Sequence, residues 1–184
     1  MKTIFAFIRH GQTNWNKERR IQGLIDNPLN DEGIMQAHKI GKNLQNIDSK
    51  WDLIISSPLA RATKTAQIIA SYLPNIPLVI NPYFIERDFG AAEGEFITAA
   101  LFDKIINDDV KGLENSKHLQ MRILKEVENL AKKHPDQKLL IIAHSHVIKA
   151  LLTLISNKFS FRDLLDNAAI IYFVYQNGKL SLLE

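Results

Sequence analysis

Residues 3–13 read TIFAFIRHGQT, and the architecture follows from how the first six differ from the last five. Thr3–Ile8 is a near-continuous apolar run. A strand with one wet face alternates polar and apolar side chains. A strand buried on both faces does not, and such strands belong to parallel sheets covered by helices on either side. The run stops abruptly at Arg9-His10-Gly11. The same change from apolar to polar recurs further along. Asp52–Ser56 is a short buried strand followed by Ser57-Pro58, and Lys138–Ala143 is a strong one followed by His144-Ser145-His146. Leu78–Ile80 reads as a further short strand, with Pro82 opening a loop.

The segments between these strands have helical spacing. Asp31–Ile47 puts Ile34, Ala37, Ile40, Leu44 and Ile47 on one face. Ser57-Pro58 reads as an N-cap with proline at the first helical position, opening a helix to about Leu73. Its inward residues are Leu59, Ala62, Ala66, Ile69 and Leu73. Asn115–Lys133 turns Ile123, Leu124, Val127, Leu130 and Ala131 inward, and His146–Ile155 is an apolar helix. Near the end, Ile170–Tyr175 and Lys179–Leu183 flank Asn177-Gly178, a strong type I′ hairpin signal. The expected fold class is α/β. It is a three-layer α/β/α sandwich with a mostly parallel mixed sheet and a C-terminal antiparallel hairpin. The 184 residues suit one domain, 1–184, with a small cap around 91–115.

Composition narrows the function classes. Apolar residues make 46% and charged residues 23%, an ordinary globular balance. A net charge of +3, scattered along the chain, does not point to nucleic acid but suits a small anionic ligand. There is no cysteine, so disulfides, thiol catalysis and cysteine-bound zinc are excluded. No apolar stretch is long enough to span a bilayer, and the run before Arg9 is too short for a signal sequence. The expectation is a cytoplasmic protein with no membrane partner.

In open α/β sheets, ligands bind beyond the carboxyl ends of the strands. Arg9 and His10 follow the first strand, Arg61 stands one turn into the helix after the second, and His144 follows a third. A parallel sheet brings these two arginines and two histidines to one edge. Guanidinium forks match phosphate oxygens and keep their charge. A helix beginning near Ser145 adds backbone N–H groups and a positive dipole end. A neutral imidazole in that setting can attack phosphorus and hold the phosphoryl group covalently. Nearby arginines lower its pKa, and Gly11 is expected to allow close backbone approach to the ligand. The stretch Ile85-Glu86-Arg87-Asp88-Phe89-Gly90 offers acids to protonate the leaving alkoxide. Asp88, Glu93 and Glu95 rival Glu86, and periodicity does not choose among them.

These blocks together resemble the histidine phosphatase superfamily, in its phosphoglycerate mutase-like branch. Arg9-His10-Gly11-Gln12-Thr13 with Trp15-Asn16 is similar to the family's first motif, continued by Ile21-Gln22-Gly23, Asp26, Pro28-Leu29, Gly33 and Gln36-Ala37. Ser56-Ser57-Pro58-Leu59-Ala60-Arg61-Ala62 with Thr65-Ala66 resembles the second. Glu86, Phe89-Gly90 and Glu93-Gly94 resemble the acid loop, and Gly112, Glu114 and Arg122 a weaker fourth block. His144 stands where the family has its second histidine. The resemblance implies that His10 is the phosphorylated nucleophile and that Arg9, Arg61 and His144 hold the phosphoryl oxygens. It further implies that Glu86 is the proton donor and then the base, and that Asn16, Gln22, Gly23 and Ser145 border the substrate. It implies a small phosphorylated metabolite as partner, with no metal and no other cofactor.

Two positions depart from the family pattern. Ser145-His146 replaces the usual glycine after the second histidine, which is expected to place a titratable group at the pocket rim. Ala91-Ala92 stands where many members carry a bulky aromatic, which is expected to widen the mouth. Residues Ile97–Val110 are expected to form the cap that selects the substrate. The leading expectation is a phosphomonoester hydrolase. The alternatives are a phosphoglycerate mutase that keeps its phosphohistidine from water, a non-catalytic binder of phosphorylated ligands, and a metal hydrolase built on His144 and His146. The mutases carry a larger insertion before the second histidine, whereas only 57 residues separate Glu86 from His144 here. Glu114 with Arg122 is equally readable as a structural ion pair.

Overall fold

In the computed structural model the described residues are 2–48 and 50–183; Met1, Ser49 and Glu184 lie outside them. In chain order the elements are β1 (Lys2–Arg9), α1 (Asn14–Lys17), α2 (Asp31–Ile47), β2 (Leu53–Ser56), α3 (Ala60–Tyr72) and β3 (Leu78–Ile80). They continue with α4 (Ala99–Ile106), α5 (Ser116–Lys133), β4 (Lys138–Ala143), α6 (Ser145–Ile155), β5 (Ile170–Gln176) and β6 (Lys179–Leu182). The six strands form one sheet in the order β3-β2-β4-β1-β5-β6. β1, β2, β3 and β4 run parallel, while β5 and β6 are antiparallel to their neighbours. Asn177 and Gly178 both take positive φ at the final hairpin, as a type I′ turn requires.

The unbroken apolar runs have a direct cause. Side chains alternate across a strand, and both faces of the sheet are covered. Phe5 and Phe7 of β1, with Leu139 and Ile141 of β4, pack against Ile123, Val127, Val147 and Leu151 of α5 and α6. Ala6, Ile8, Leu140 and Ile142 point the other way, onto Ile40, Leu44, Ala62 and Ile69 of α2 and α3. Phe7 meets Phe84 and Phe173 edge-on, with ring centres 5.6 and 5.5 Å away. Truncating such a fully buried ring costs about 3–5 kcal/mol.

Register determines what sits at the carboxyl edge. Arg9 pairs with Ala143 and Ser56 with Ile142, so β1, β4 and β2 end side by side. His10, His144 and Ser57 therefore leave the sheet together.

Two local expectations are corrected. Ser57 and Pro58 do not open α3, whose N-cap is Leu59 with no side-chain cap bond. The carboxylate of Asp26, distant in sequence, accepts from the Ala60 N–H at 2.8 Å instead. The need for Gly11 comes from the chain itself. A Cβ there would stand 2.3 Å from the Gly33 carbonyl oxygen, because the loop after β1 presses on the start of α2. Within residues 91–115 lies α4, whose Ile105 packs with Ile21, Phe89 and Ala92 in a small separate core. Among the described residues, no helix is long and apolar enough to cross a membrane.

Candidate active site

A cavity of about 490 Å³ opens at the carboxyl edge of the sheet. Arg9, His10, Asn16, Gln22, Gly23, Arg61, Glu86 and Ser145 line it, gathering eight of the nine expected site residues from six stretches of chain. The ninth, His144, does not reach the cavity wall. It is fully buried beside His10, with ring centres 5.1 Å apart.

His10 is held in one tautomer. Its Nδ1 lies 2.7 Å from the Gly11 carbonyl, an acceptor only, so Nδ1 carries the proton and Nε2 keeps its lone pair. Burial, then the charges of Arg61 and Arg9, hold the pKa well below the usual histidine value, against the pull of the Gly11 carbonyl. The imidazole is neutral at neutral pH. Asn167 donates to the His10 carbonyl at 3.1 Å and to Asn16 Oδ1 at 3.1 Å, tying the loop before β5 to this strand end.

The cations are supported from behind. Arg61 donates to the carbonyls of Ile25 and Gly23 at 2.9 and 2.7 Å. Arg9 donates to the Leu165 carbonyl. The Nε atoms of both arginines and Nδ1 of His144 are buried and make no hydrogen bond. Ser57 Oγ lies 2.7 Å from His144 Nε2. With the hydroxyl donating there, His144 carries its proton on Nδ1. Burial, followed by the charge of Arg61, lowers the His144 pKa strongly. Buried donors without partners are rare in native proteins, and these three belong to residues that neighbour His10, two through their charges and one through its ring.

The acids separate by what they bind. Glu86 is buried and lines the cavity. Its Oε1 accepts from the Arg87 N–H at 2.8 Å and its Oε2 from the His146 N–H at 3.4 Å. Burial raises its pKa, outweighing those bonds and the charges of Arg61 and Arg9. Glu93 is occupied elsewhere, accepting from the N–H groups of Leu24, Ile25 and Phe89. Asp88 accepts from Gly90, and neither it nor Glu95 lines the cavity. Glu114 and Arg122 do form an ion pair at 2.8 Å, and Arg122 also donates to the Ile85 carbonyl at 3.1 Å, immediately before Glu86.

Of the two departures, one differs from expectation. His146 is wall, not rim. Its buried ring sits between Phe89 and Phe161, with ring centres 4.9 and 5.1 Å away. Burial there, then Lys149 and Arg87, holds its pKa well below the histidine range, so it does not titrate near neutrality. Ala91 and Ala92 do not line the cavity; Ala92 packs with Ile21, Phe89 and Ile105 in a small separate core.

Sequence reasoning missed several cavity residues. Arg20, Lys149, Arg162 and Leu165 line it, and Phe102 reaches it from α4. Lys149 carried a signal, being a lysine inside an otherwise apolar helix one turn beyond Ser145. The buried Arg87, paired with Asp108 and donating to the Glu114 carbonyl at 2.8 Å, anchors the acid loop from below.

The chain belongs to the histidine phosphatase superfamily (branch 1), whose family model matches residues 5–184. It is 40% identical over 157 residues to the uncharacterized phosphatase PhoE of Bacillus subtilis, covering 84% of this chain and 78% of that protein. A metal-independent phosphoserine phosphatase of Arabidopsis thaliana is 30% identical over 89% of this chain and 73% of its own. Among solved structures, YhfR of Bacillus stearothermophilus superposes with a TM-score of 0.86 at 25% identity, covering 98% of this chain and 95% of that one.

Proposed function

We propose that this chain hydrolyses small phosphomonoesters in two displacements through His10, without a metal ion. The observation that carries the reading is a neutral imidazole with its Nε2 lone pair free, set beside unpartnered buried donors of Arg9, Arg61 and His144. In the first displacement, Nε2 attacks phosphorus and the ester P–O bond breaks. The leaving oxygen takes the proton of Glu86, whose raised pKa favours its acid form. Arg9 and Arg61, on the cavity wall, hold the equatorial oxygens as charge spreads over them, with His144 packed beside His10. In the second, the Glu86 carboxylate takes a proton from water, the water oxygen attacks phosphorus, and the P–N bond breaks. Inorganic phosphate leaves, and both groups are restored. Asn16, Gln22, Gly23 and Ser145 border the leaving alcohol.

Two relatives named as phosphatases, one of them as metal-independent, support hydrolysis over phosphoryl return. The donor set supports the metal-free reading. Among the described residues no three His, Asp or Glu side chains gather as metal ligands, and the His144 and His146 rings are separately engaged.

The test is phosphate release from p-nitrophenyl phosphate and a panel of phosphomonoesters in the presence of a strong chelator. Rapid quenching from labelled substrate should trap an acid-labile phosphohistidine. His10→Ala should lose turnover by on the order of 10³-fold or more. Retained turnover in His10→Ala, or loss on chelation restored by a divalent ion, refutes the mechanism. Efficient conversion of 3-phosphoglycerate to its 2-isomer without phosphate release makes the chain a mutase instead.

A further inference from the structure

Lys149 has no place in the displacement steps, yet it is only 7% exposed and lines the same cavity as His10. It stands one turn beyond Ser145 on α6. Its ammonium donates to the Phe161 carbonyl at 3.1 Å and forms no ion pair among the described residues. An ammonium has three donors, so two remain. A buried cation without a counter-charge is costly.

The neighbouring charges answer it only in part: Glu86 and Asp163 favour its charged form and Arg9 opposes it, but none of them pairs with it. Arg20 pairs with Glu18 and donates to the Gly94 carbonyl, and Arg162 pairs with Asp103 at 2.8 Å. Arg19 stands exposed at the mouth. Asp163 lines the cavity too, but its carboxylate accepts from the Ser160 N–H and hydroxyl. The cavity, at about 490 Å³, is much larger than a phosphoryl group needs, so the leaving alcohol has room to reach Lys149.

We propose that Lys149 is a specificity-determining residue whose ammonium receives a carboxylate carried by the leaving alcohol, while the phosphoryl group lies at His10. The proposal rests on the hydrolase reading and names a substrate class for it. Two free donors and one positive charge match one carboxylate. A second phosphoryl dianion would need a denser donor set, such as the one around His10. Burial and the charge of Arg9, opposed by Glu86 and Asp163, bring the Lys149 pKa down to about 8, so the ammonium is charged at neutral pH.

The matched pair 3-phosphoglycerate and glycerol 3-phosphate tests this, since they differ by a carboxylate against a hydroxymethyl group. At pH 6.5 the unsubstituted chain should favour 3-phosphoglycerate in kcat/KM by about 10-fold or more. Lys149→Met, which keeps the aliphatic stem, should lower kcat/KM on 3-phosphoglycerate by about 10–100-fold, mainly through KM. On glycerol 3-phosphate it should stay within about threefold, and Lys149→Arg should restore most of the preference. Absence of the preference overturns the proposal. So does an equal loss on both esters, which would make Lys149 a structural tie to the Phe161 loop. A still faster 2,3-bisphosphoglycerate turnover, lost in Lys149→Met, would assign the subsite to a second phosphoryl group and overturn the carboxylate. Failure to hydrolyse any ester, p-nitrophenyl phosphate included, refutes the hydrolase reading instead. Calorimetric affinities of the two glycerol derivatives then test the subsite alone, and equal affinities overturn it.

Discussion

Glu93 looks in sequence like a rival acid, but the fold uses it as a clamp, and replacing it tests that difference. Its carboxylate accepts the N–H groups of Leu24, Phe89 and Ile25 at 2.8, 3.2 and 3.0 Å. The loop it fastens supplies the carbonyls of Gly23 and Ile25 that hold the Arg61 guanidinium. Glu93→Ala removes all three bonds to the carboxylate. A hydrogen bond to a charged group is worth about 1.5–3 kcal/mol. Leu24 and Ile25 are exposed, so water recovers much of what their N–H groups lose. The net cost is then about 2–3 kcal/mol. At about 2–4 °C per kcal/mol for a chain of this size, Tm should fall by roughly 4–12 °C. Arg61 should lose alignment, and kcat/KM should drop about 10-fold, which is about 1.4 kcal/mol of transition-state stabilisation. Thermal unfolding and steady-state kinetics on p-nitrophenyl phosphate measure the two effects. The shape of the pH–rate profile should not change, because Glu93 moves no proton in the mechanism. An unchanged Tm and rate refute the clamp. A loss greater than that of Glu86→Gln, with a flattened alkaline limb, would make Glu93 the acid.

The proton states of His10 and Glu86 set the pH dependence. His10 must be neutral, which its lowered pKa secures down to well below 6.5, and Glu86 must be protonated, which holds below its raised pKa. So kcat/KM should decline as pH rises through the raised Glu86 pKa. Glu86→Gln should lower the rate by about 10²–10⁴-fold and remove that decline; a decline that persists assigns it to another group. For 3-phosphoglycerate, KM should rise above about pH 8 as Lys149 loses its proton, and it should not do so in Lys149→Met. Ser57→Ala leaves the buried Nε2 of His144 unpartnered, at a cost of about 1–3 kcal/mol, so Tm should drop and KM for phosphomonoesters should rise. Unchanged values of both would show that the hydroxyl does not orient that ring.

The layers and the strand ends were legible because double-sided burial leaves its mark on every residue of a strand. Thr3–Ile8 and Lys138–Ala143 have no polar alternation to misread, and each ends at its site histidine. What stayed hidden depends on partners distant in sequence. Ser57 has the composition of a helix cap, but its hydroxyl serves His144, which β4 brings alongside from 87 positions away. Gly11 suggests room for a ligand, but its contact is Gly33, across a turn whose path the local sequence does not encode. Glu86, Asp88, Glu93 and Glu95 share one irregular loop with no period to sort them, so only tertiary packing separates the acid at the cavity from the clamp. His146 looked like a rim residue because the two aromatic rings that enclose it, Phe89 and Phe161, lie on other segments.

One physical condition prepares both halves of the proposed chemistry. Removing water disfavours charge, so it lowers the pKa of His10 and raises that of Glu86. The neutral imidazole is a nucleophile and the neutral carboxyl is an acid, so a single desolvated pocket yields the protonation states that the first displacement needs. The arginines do not act so evenly. Arg61 and Arg9 reinforce the shift on His10 and oppose it on Glu86. A bound phosphoryl group brings negative charge between those guanidiniums and Glu86. That charge cancels the opposing pull and favours the acid form further. Glu86 is thus more fully protonated when a substrate is in place to take the proton. After the leaving alcohol departs with it, the phosphoryl group still on His10 continues to offset the arginines, so the carboxylate stays basic enough to accept a proton from water.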